Sequence, residues 1–411
     1  MLYPVAGICL SAVDAAIRYK NRKDLVLISI AEGSCVAGVF TKNAFCAAPV
    51  QIAKKNLATH FKTQNLRYFL INTGNANAGT GLAGLEAASA CCEALASLVH
   101  CDPSAILPFS TGVIGEPLPT LPILTALPRA VAACSAAATA SKKGDAWHDA
   151  AIGIMTTDTK PKAFSTRFEF EGQQIVITGI AKGSGMICPN MATMLGFIAT
   201  DLMVAPQVLQ SIFNDVIEET FNAITVDGDT STNDACMLIA TGQVKGLAID
   251  ENNKQSELAI SFKKHLTTVC LYLAHAIVRD GEGATKFVAV NVINGISHAE
   301  CKQVAYSVAH SPLVKTALFA SDANWGRILA AVGKSSIEQL DVEAINVWIN
   351  SVLIVSEGAR AKDYTEKAGS EEMKKSDITI KIDLARGSAT ATVWTCDFSF
   401  DYVKINAEYR S

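Results

Sequence analysis

The middle of the chain constrains the fold most. STRFEFEG (165–172) alternates polar and apolar residues, with Phe168 and Phe170 on one face, and QQIVITGI (173–180) continues in the same style across an EGQQ turn. This pattern predicts an antiparallel hairpin. KGSGMICPN (182–190) follows, with two glycines, a proline and no periodicity, so it forms no regular element. TMLGFIAT (193–200) then resumes a strand. A hairpin, an irregular loop and a further strand in succession do not make a βαβ repeat. A doubly wound parallel sheet is therefore disfavoured, and a mixed α/β chain with many antiparallel hairpins is expected.

The flanks agree. RYFLINT (67–73) reads as a buried strand running into a Gly/Asn-rich loop, GNANAGTG (74–81), and an Ala-rich helix is expected from Leu82 to about His100. AILPFS (105–110) reads as a short strand ended by Thr111-Gly112, and 120–156 as two helices broken at SKKGD (141–145). Amphipathic helices are predicted over 205–222, 255–279 and 298–319. FVAVNVI (287–293), INVWINSVLIV (345–355), DITIKIDL (377–384) and SATATVWTC (388–396) read as strands.

Half of the 411 residues are apolar and the net charge is −4, which excludes a disordered chain. The length suggests two lobes, since single cores stop growing near roughly 250–300 residues. The near-neutral balance argues against nucleic acid or an anionic membrane as the main partner. No uninterrupted apolar run reaches the ~18–20 residues of a membrane span. The N-terminus lacks a basic region and Asp14 interrupts its apolar stretch, so cytoplasmic residence is expected. The twelve cysteines have no C-x-x-C pair and read as buried free thiols in a reducing compartment.

The common site templates fail. G-x-x-x-x-G-K-[ST], H-E-x-x-H and G-x-S-x-G are absent, and Cys188 stands where a third glycine would complete G-x-G-x-x-G from Gly183. VDGDTSTND (226–234) has the acidic spacing of a calcium loop, but Leu238 takes the place of its bidentate glutamate. No metal is expected, and the seven scattered histidines give no sign of a histidine base.

KGSGMICPNMATMLGFIATD (182–201) offers different chemistry. A hydroxyl at a loop-to-strand junction, preceded by a small residue, is what a self-cleaving precursor needs. The Thr193 hydroxyl attacks the Ala192 carbonyl, an N-to-O acyl shift makes an ester, and water hydrolyses it. The freed α-amine has a pKa of about 7.7–8.0 and can take the proton of its own hydroxyl. Taken alone, Ala-Thr before a strand is very weak evidence for this chemistry, and an ordinary strand N-terminus is the default reading.

The surrounding blocks separate the two readings. The segment resembles the cleavage signature of the ornithine acetyltransferase family, the bifunctional glutamate N-acetyltransferases of arginine biosynthesis. VAGVFTKNAFCAAPV (ending at 50), INTGNANAGTG (71–81), STGVIGEPLP (110–119), IMTTDTKPK (154–162), TFNAITVDGDTSTNDACMLIATG (220–242), DGEGATK (280–286), DANWGRILAAVG (322–333) and DYVKINAEYRS (401–411) resemble family blocks in the same order, over essentially the whole chain.

The resemblance implies a layered αββα sandwich of the self-cleaving N-terminal-nucleophile kind, with mixed and largely antiparallel sheets. It implies a precursor cut between Ala192 and Thr193 into an alpha chain, 1–192, and a beta chain, 193–411, two of each forming a heterotetramer. It implies ping-pong transfer of acetyl from N2-acetylornithine to glutamate through an acetylated Thr193. No cofactor is implied, with acetyl-CoA left open as a further donor. Thr111 and Gly112 match the family's oxyanion-hole pair, and Thr156, Lys182, Glu282, Asn406 and Ser411 match positions that contact substrate. Ser411 departs from the family's usual threonine, Cys188 from its histidine, and Ala323 from its proline. A related self-cleaving amidase or aminopeptidase, with water in place of glutamate, and a non-catalytic binding protein of the same fold remain alternatives.

Overall fold

The computed structural model describes residues 2–139, 143–188 and 194–408. The chain divides into two compact units that interleave in sequence. Unit 1 takes Met1–Met186, Asn190–Asn222 and Asp229–Ile277; unit 2 takes Ile187–Pro189, Ala223–Gly228 and Val278–Ser411. The two expected lobes are present. They divide the chain by packing, which is a separate matter from the covalent products expected on cleavage.

Unit 1 contains β1 (Ile8–Val13), β2 (Leu25–Ile30), β3 (Cys35–Phe40), α1 (Ala48–Thr63), β4 (Tyr68–Asn75), α2 (Gly81–Val99), β5 (Ile106–Val113), α3 (Thr120–Thr139), α4 (Lys143–Gly153), β6 (Lys162–Phe170) and β7 (Gln173–Lys182). It continues with β8 (Leu195–Thr200), β9 (Met203–Val204), α5 (Pro206–Glu219), β10 (Ala235–Ala240), β11 (Ala248–Ile249) and α6 (Glu257–Arg279), whose last two residues fall in unit 2. Among the described residues, its two main sheets have the orders β1-β2-β4-β5 and β3-β10-β8-β7-β6. β4–β5 and β8–β10 pair in parallel and the other neighbours antiparallel.

β8 and β10 in the middle of the second sheet are buried along their whole length because both faces are covered, whereas the edge strand β6 keeps its alternation. Val26, Ile28, Phe69, Ile71, Leu107 and Phe109 of the first sheet share a core with Ile180, Leu195, Phe197, Met237 and Ile239 of the second. Phe69, Phe109 and Phe197 meet there with ring centroids 5.1–5.9 Å apart. Emptying one such position, as in Phe197→Ala, costs about 3–5 kcal/mol. On the far side of the first sheet, Leu25, Leu27, Leu70 and Ile106 pack on Cys91, Cys92 and Leu95 of α2 and Ile123, Leu127 and Ala130 of α3. Beyond the second sheet, Val269 and Leu273 of α6 approach Gly179 of β7, and Gln210 of α5 hydrogen-bonds both backbone groups of Gly38 in β3. The layer order is helices, sheet, sheet, helices, the expected αββα sandwich. α2 is long and apolar enough to cross a membrane, but its Ala88-Cys91-Cys92-Leu95-Ala96 face is buried in this core.

Unit 2 contains β12 (Phe287–Gly295), α7 (His298–Ala309), α8 (Pro312–Phe319), α9 (Trp325–Gly333), β13 (Asn346–Ile349), β14 (Val352–Ser356), β15 (Ala359–Arg360), α10 (Glu366–Met373), β16 (Asp377–Asp383), β17 (Ala389–Cys396) and α11 (Phe400–Ala407). Its sheet order is β15-β14-β13-β16-β12-β17 among the described residues, with β12 and β16 parallel. Val288, Val290, Val292, Ile378, Ile380 and Ile382 pack against Val304 and Val308 of α7 and Val332 of α9.

Three expectations need correction. The helix predicted over 298–319 is two helices, because Pro312 cannot continue α7; it starts α8 behind Ser311, whose hydroxyl accepts from Val314 N–H. The single strand over 345–355 is a β13–β14 hairpin, turning at Asn350 with φ +51°. Thr111-Gly112 does not end the 105–110 strand, since β5 runs on to Val113. The hairpin at 165–180 is present as β6–β7, with Glu171 and Gly172 at positive φ in its turn. All twelve cysteines are free thiols, and burial pushes the Cys91 thiol up to about 11.

Candidate active site

β4 and β5 run parallel with Thr73 opposite Thr111 and Gly74 opposite Gly112, and the register slips at Asn75. Gly112 has φ +134°, and a Cβ there would stand 2.4 Å from the Gly74 carbonyl carbon and 2.6 Å from the Asn75 nitrogen. Only glycine fits this approach. Amide side chains hold the surrounding backbone. Asn233 Nδ2 donates to the carbonyls of Ala76 (2.6 Å) and Ser110 (2.9 Å). Asn72 Oδ1 accepts from Ser110 Oγ at 2.6 Å, and Asn75 Nδ2 donates to the carbonyls of Glu116 and Pro117. GNANAGTG and STGVIGEP are thus one interlocked structure, in which asparagines bond loop carbonyls and the Ser110 carbonyl and hydroxyl of β5.

Lys182 is the last residue of β7 and is buried. Its Nζ lies 2.7 Å from Thr156 Oγ1 and 3.4 Å from Thr111 Oγ1. An ammonium only donates, so both threonine oxygens accept and each hydroxyl hydrogen is left to donate elsewhere.

Asp158 lies behind this contact. Its Oδ1 accepts from Lys162 Nζ (2.6 Å) and Gly183 N–H (2.7 Å), and its Oδ2 accepts from Thr156 N–H (3.0 Å). The side chains of Lys162 and Asp158 are 2% and 0% exposed, so this ion pair is sealed from water. Burial works to raise the Asp158 pKa, but the charges of Lys182 and Lys162 and the Gly183 N–H outweigh it and hold the carboxyl at about 2. Arg22 Nη2 donates to the Met155 carbonyl at 2.6 Å, bracing the same turn.

Pro189–Thr193 lies outside the described residues, and with it the sequence-predicted Ala192 and Thr193; Ser411 does too. Downstream of those residues, Met194 N–H donates to Asp234 Oδ1 (2.9 Å) and the Met194 carbonyl accepts from Ala235 N–H (3.1 Å), both in unit 1. Upstream, in unit 2, Ile187 N–H donates to Asp227 Oδ1 (3.0 Å), and its carbonyl accepts from Thr225 Oγ1 and Val226 N–H (both 2.9 Å).

Of the sequence-predicted residues, Thr111, Gly112, Thr156 and Lys182 gather in unit 1. Glu282 and Asn406 meet in unit 2, where Asn406 Nδ2 donates to Glu282 Oε2 at 2.9 Å. That contact is set by α11, whose N-cap Ser399 donates its hydroxyl to the Gly283 carbonyl at 2.7 Å. Sequence reasoning missed Asp158, Lys162 and Asn233. Asp158 and Lys162 sit in the IMTTDTKPK block, but an acid four residues from a lysine reads as a solvated pair until burial is known. It also missed His310, whose Nε2 lies 3.6 Å from Cys188 Sγ and 3.1 Å from Thr225 Oγ1. Burial, with the charges of Lys315 and Lys334, holds His310 down at about 4, so it is neutral at pH 7. No group of three or more metal-ligating side chains occurs among the described residues.

Residues 9–411 match the ArgJ family, and the chain belongs to it. It is 55% identical over 410 residues to an arginine biosynthesis bifunctional protein ArgJ of Pseudomonas syringae pv. tomato, covering 100% of this chain and 98% of that protein. A protein of the same description from Methylococcus capsulatus is 50% identical, with 100% and 97% covered. A crystal structure of the arginine biosynthesis bifunctional protein argJ from Bacillus halodurans is 37% identical, with a TM-score of 0.49, covering 52% of this chain and 98% of that one.

Proposed function

We propose that this chain is an acetyltransferase of arginine biosynthesis that moves acetyl from N2-acetylornithine to glutamate, with Thr193 as nucleophile. Family membership over residues 9–411 and full-length identity of 50–55% to bifunctional relatives carry the activity. The meeting of Lys182, Thr156 and Thr111 supports the residue assignments.

The precursor cuts itself between Ala192 and Thr193 and yields chains 1–192 and 193–411. The Thr193 hydroxyl oxygen then attacks the acetyl carbonyl of N2-acetylornithine and gives its proton to the Thr193 α-amine. The carbonyl oxygen becomes an oxyanion, received by the Thr111 hydroxyl and the Gly112 N–H. Lys182 occupies the acceptor side of Thr111, which leaves the hydroxyl hydrogen for this bond. As the intermediate collapses, the C–N bond breaks, the proton passes from the α-amine to the leaving nitrogen, and ornithine departs. The amine of glutamate attacks the resulting ester by the reverse steps and restores Thr193. Lys182 and Thr156 suit the α-carboxylate shared by donor and acceptor. Glu282 and Asn406, with Ser411, suit the ornithine side-chain ammonium. Two copies of each product assemble as a heterotetramer in the cytoplasm, and no cofactor takes part; acetyl-CoA, where it serves as a donor, enters as a co-substrate.

Intact mass spectrometry of the purified protein tests the reading. Two pieces are expected, the second beginning TMLGFIATD and gaining one acetyl group after brief exposure to acetylornithine. Thr193→Ala gives one uncut, inactive chain. Cutting at the same bond in that variant overturns the assignment of the attacking group, and ornithine release without glutamate turns the reading toward a hydrolase.

A further inference from the structure

We infer that Asp158 is a positioning residue for acetyl transfer, pinning both ends of the Lys182–Thr156 contact through one buried carboxylate. The inference rests on the reading of Lys182 and Thr156 as substrate contacts given above.

One oxygen of Asp158 takes the N–H of Gly183, the residue after Lys182, at 2.7 Å; the other takes the N–H of Thr156 itself at 3.0 Å. Lys182 Nζ then meets Thr156 Oγ1 at 2.7 Å. The carboxylate therefore sets where the lysine's strand ends and where the threonine's turn begins, and so fixes the separation of the two side chains. Lys162, at the head of β6, holds the same carboxylate at 2.6 Å from the adjacent strand of the hairpin. Two strand ends and one turn thus share a single acceptor group. The depressed Asp158 pKa agrees with a carboxylate ionised throughout the working range.

A sealed ion pair is a poor source of stability, since desolvation offsets much of the attraction and a pair removed together is often tolerated. A role in packing alone is therefore separable from a role in positioning. The experiment compares wild type, Asp158→Asn, Lys162→Met and the double variant, each checked by mass spectrometry for cleavage and by melting for stability. Kinetics are measured with acetylornithine and glutamate varied in turn. Asp158→Asn is expected to raise KM for both substrates about tenfold with kcat within about threefold, the pattern of lost uniform binding. The double variant is expected to recover part of the melting temperature lost in Asp158→Asn while KM stays raised, because Lys162 no longer leaves an unpaired buried charge and the anchor for Thr156 and Gly183 does not return. An unchanged KM in Asp158→Asn, or a double variant that recovers KM along with melting temperature, overturns the inference and leaves Asp158 as a counter-ion of Lys162. Wild-type protein that transfers no acetyl group sinks the functional reading instead.

Discussion

Among the described residues each unit buries two lysines, and their surroundings differ. In unit 2, Lys315 is 1% exposed and donates to the Cys396 carbonyl and to Thr395 Oγ1 at 2.9 Å, with the Phe398 ring centroid 4.5 Å away. Lys286 donates to the carbonyls of Leu318 and Met373 and to Ser321 Oγ. Burial lowers the pKa of both. These lysines tie helix ends to strands by satisfying backbone acceptors. In unit 1, Lys162 and Lys182 meet a carboxylate and two hydroxyls instead. The unit 2 lysines donate to hydroxyls as well, so neither burial nor a hydroxyl partner announces a site. Lys182 is set apart by its place beside Thr111 and by the buried Asp158–Lys162 pair behind it.

The sharpest break of this comparison is a pair of identical substitutions. Lys182→Met should lower kcat/KM about 10²-fold, in keeping with the loss of one charged group at the proposed substrate contact beside the proposed oxyanion donor. Lys315→Met should leave the specific activity of folded protein unchanged. If both substitutions abolish activity equally in well-folded protein, the distinction fails.

Stability should show the opposite order. Lys315→Met strands the Cys396 carbonyl and Thr395 hydroxyl and should cost about 2–3 kcal/mol by denaturant unfolding, from unsatisfied buried acceptors at about 1–3 kcal/mol each. Lys182→Met should cost less than Lys315→Met. A reversed order in unfolding curves would assign bracing to the unit 1 lysine.

Acid titration sharpens the contrast further. Asp158 is held at about 2 in the folded chain against an ordinary 3.8, so the unfolded chain binds its proton first as pH falls. The ionised carboxylate contributes about 2 kcal/mol, fully present above about pH 4–5 and lost as pH drops toward 2. Asp158→Asn should flatten that acid limb in melting experiments. The buried lysines of unit 2 act at the other end: with folded pKa values below 10.5, stability should rise with pH across the window between the lowered value and 10.5.

The smallest effect lies outside both clusters. Ser311→Ala removes the hydroxyl that caps α8 through Val314 N–H and should cost about 1 kcal/mol without altering KM.

Much of this architecture was legible because it depends on local period. The β6–β7 hairpin, α2, α5 and α6 follow from spacing and turn chemistry alone. The break at Ser311-Pro312 was missed, although a cap followed by a residue that cannot continue a helix stands there, because the apolar spacing on either side concealed it. The Asn350 turn was hidden because INVWINSVLIV is apolar on both sides of a turn two residues long, and period 2 survives a tight hairpin. Thr111, Gly112, Thr156 and Lys182 were marked by family resemblance, and their distances were not readable from it.

The amino-acid order by itself determined most of the segments that become strands and helices, though not the breaks at Pro312 and Asn350, and the family to which the chain belongs, because each depends on nearby residues or on whole-chain pattern. Tertiary structure alone decided that Asp158 accepts from Lys162, Thr156 and Gly183, that Asn233 reaches back to Ala76 and Ser110, and that Lys315 is a brace while Lys182 faces hydroxyls. The physical reason is desolvation: a charged or amide side chain has no fixed meaning in sequence, since its partners are set only when burial removes water and obliges it to bond to whatever the fold brings near.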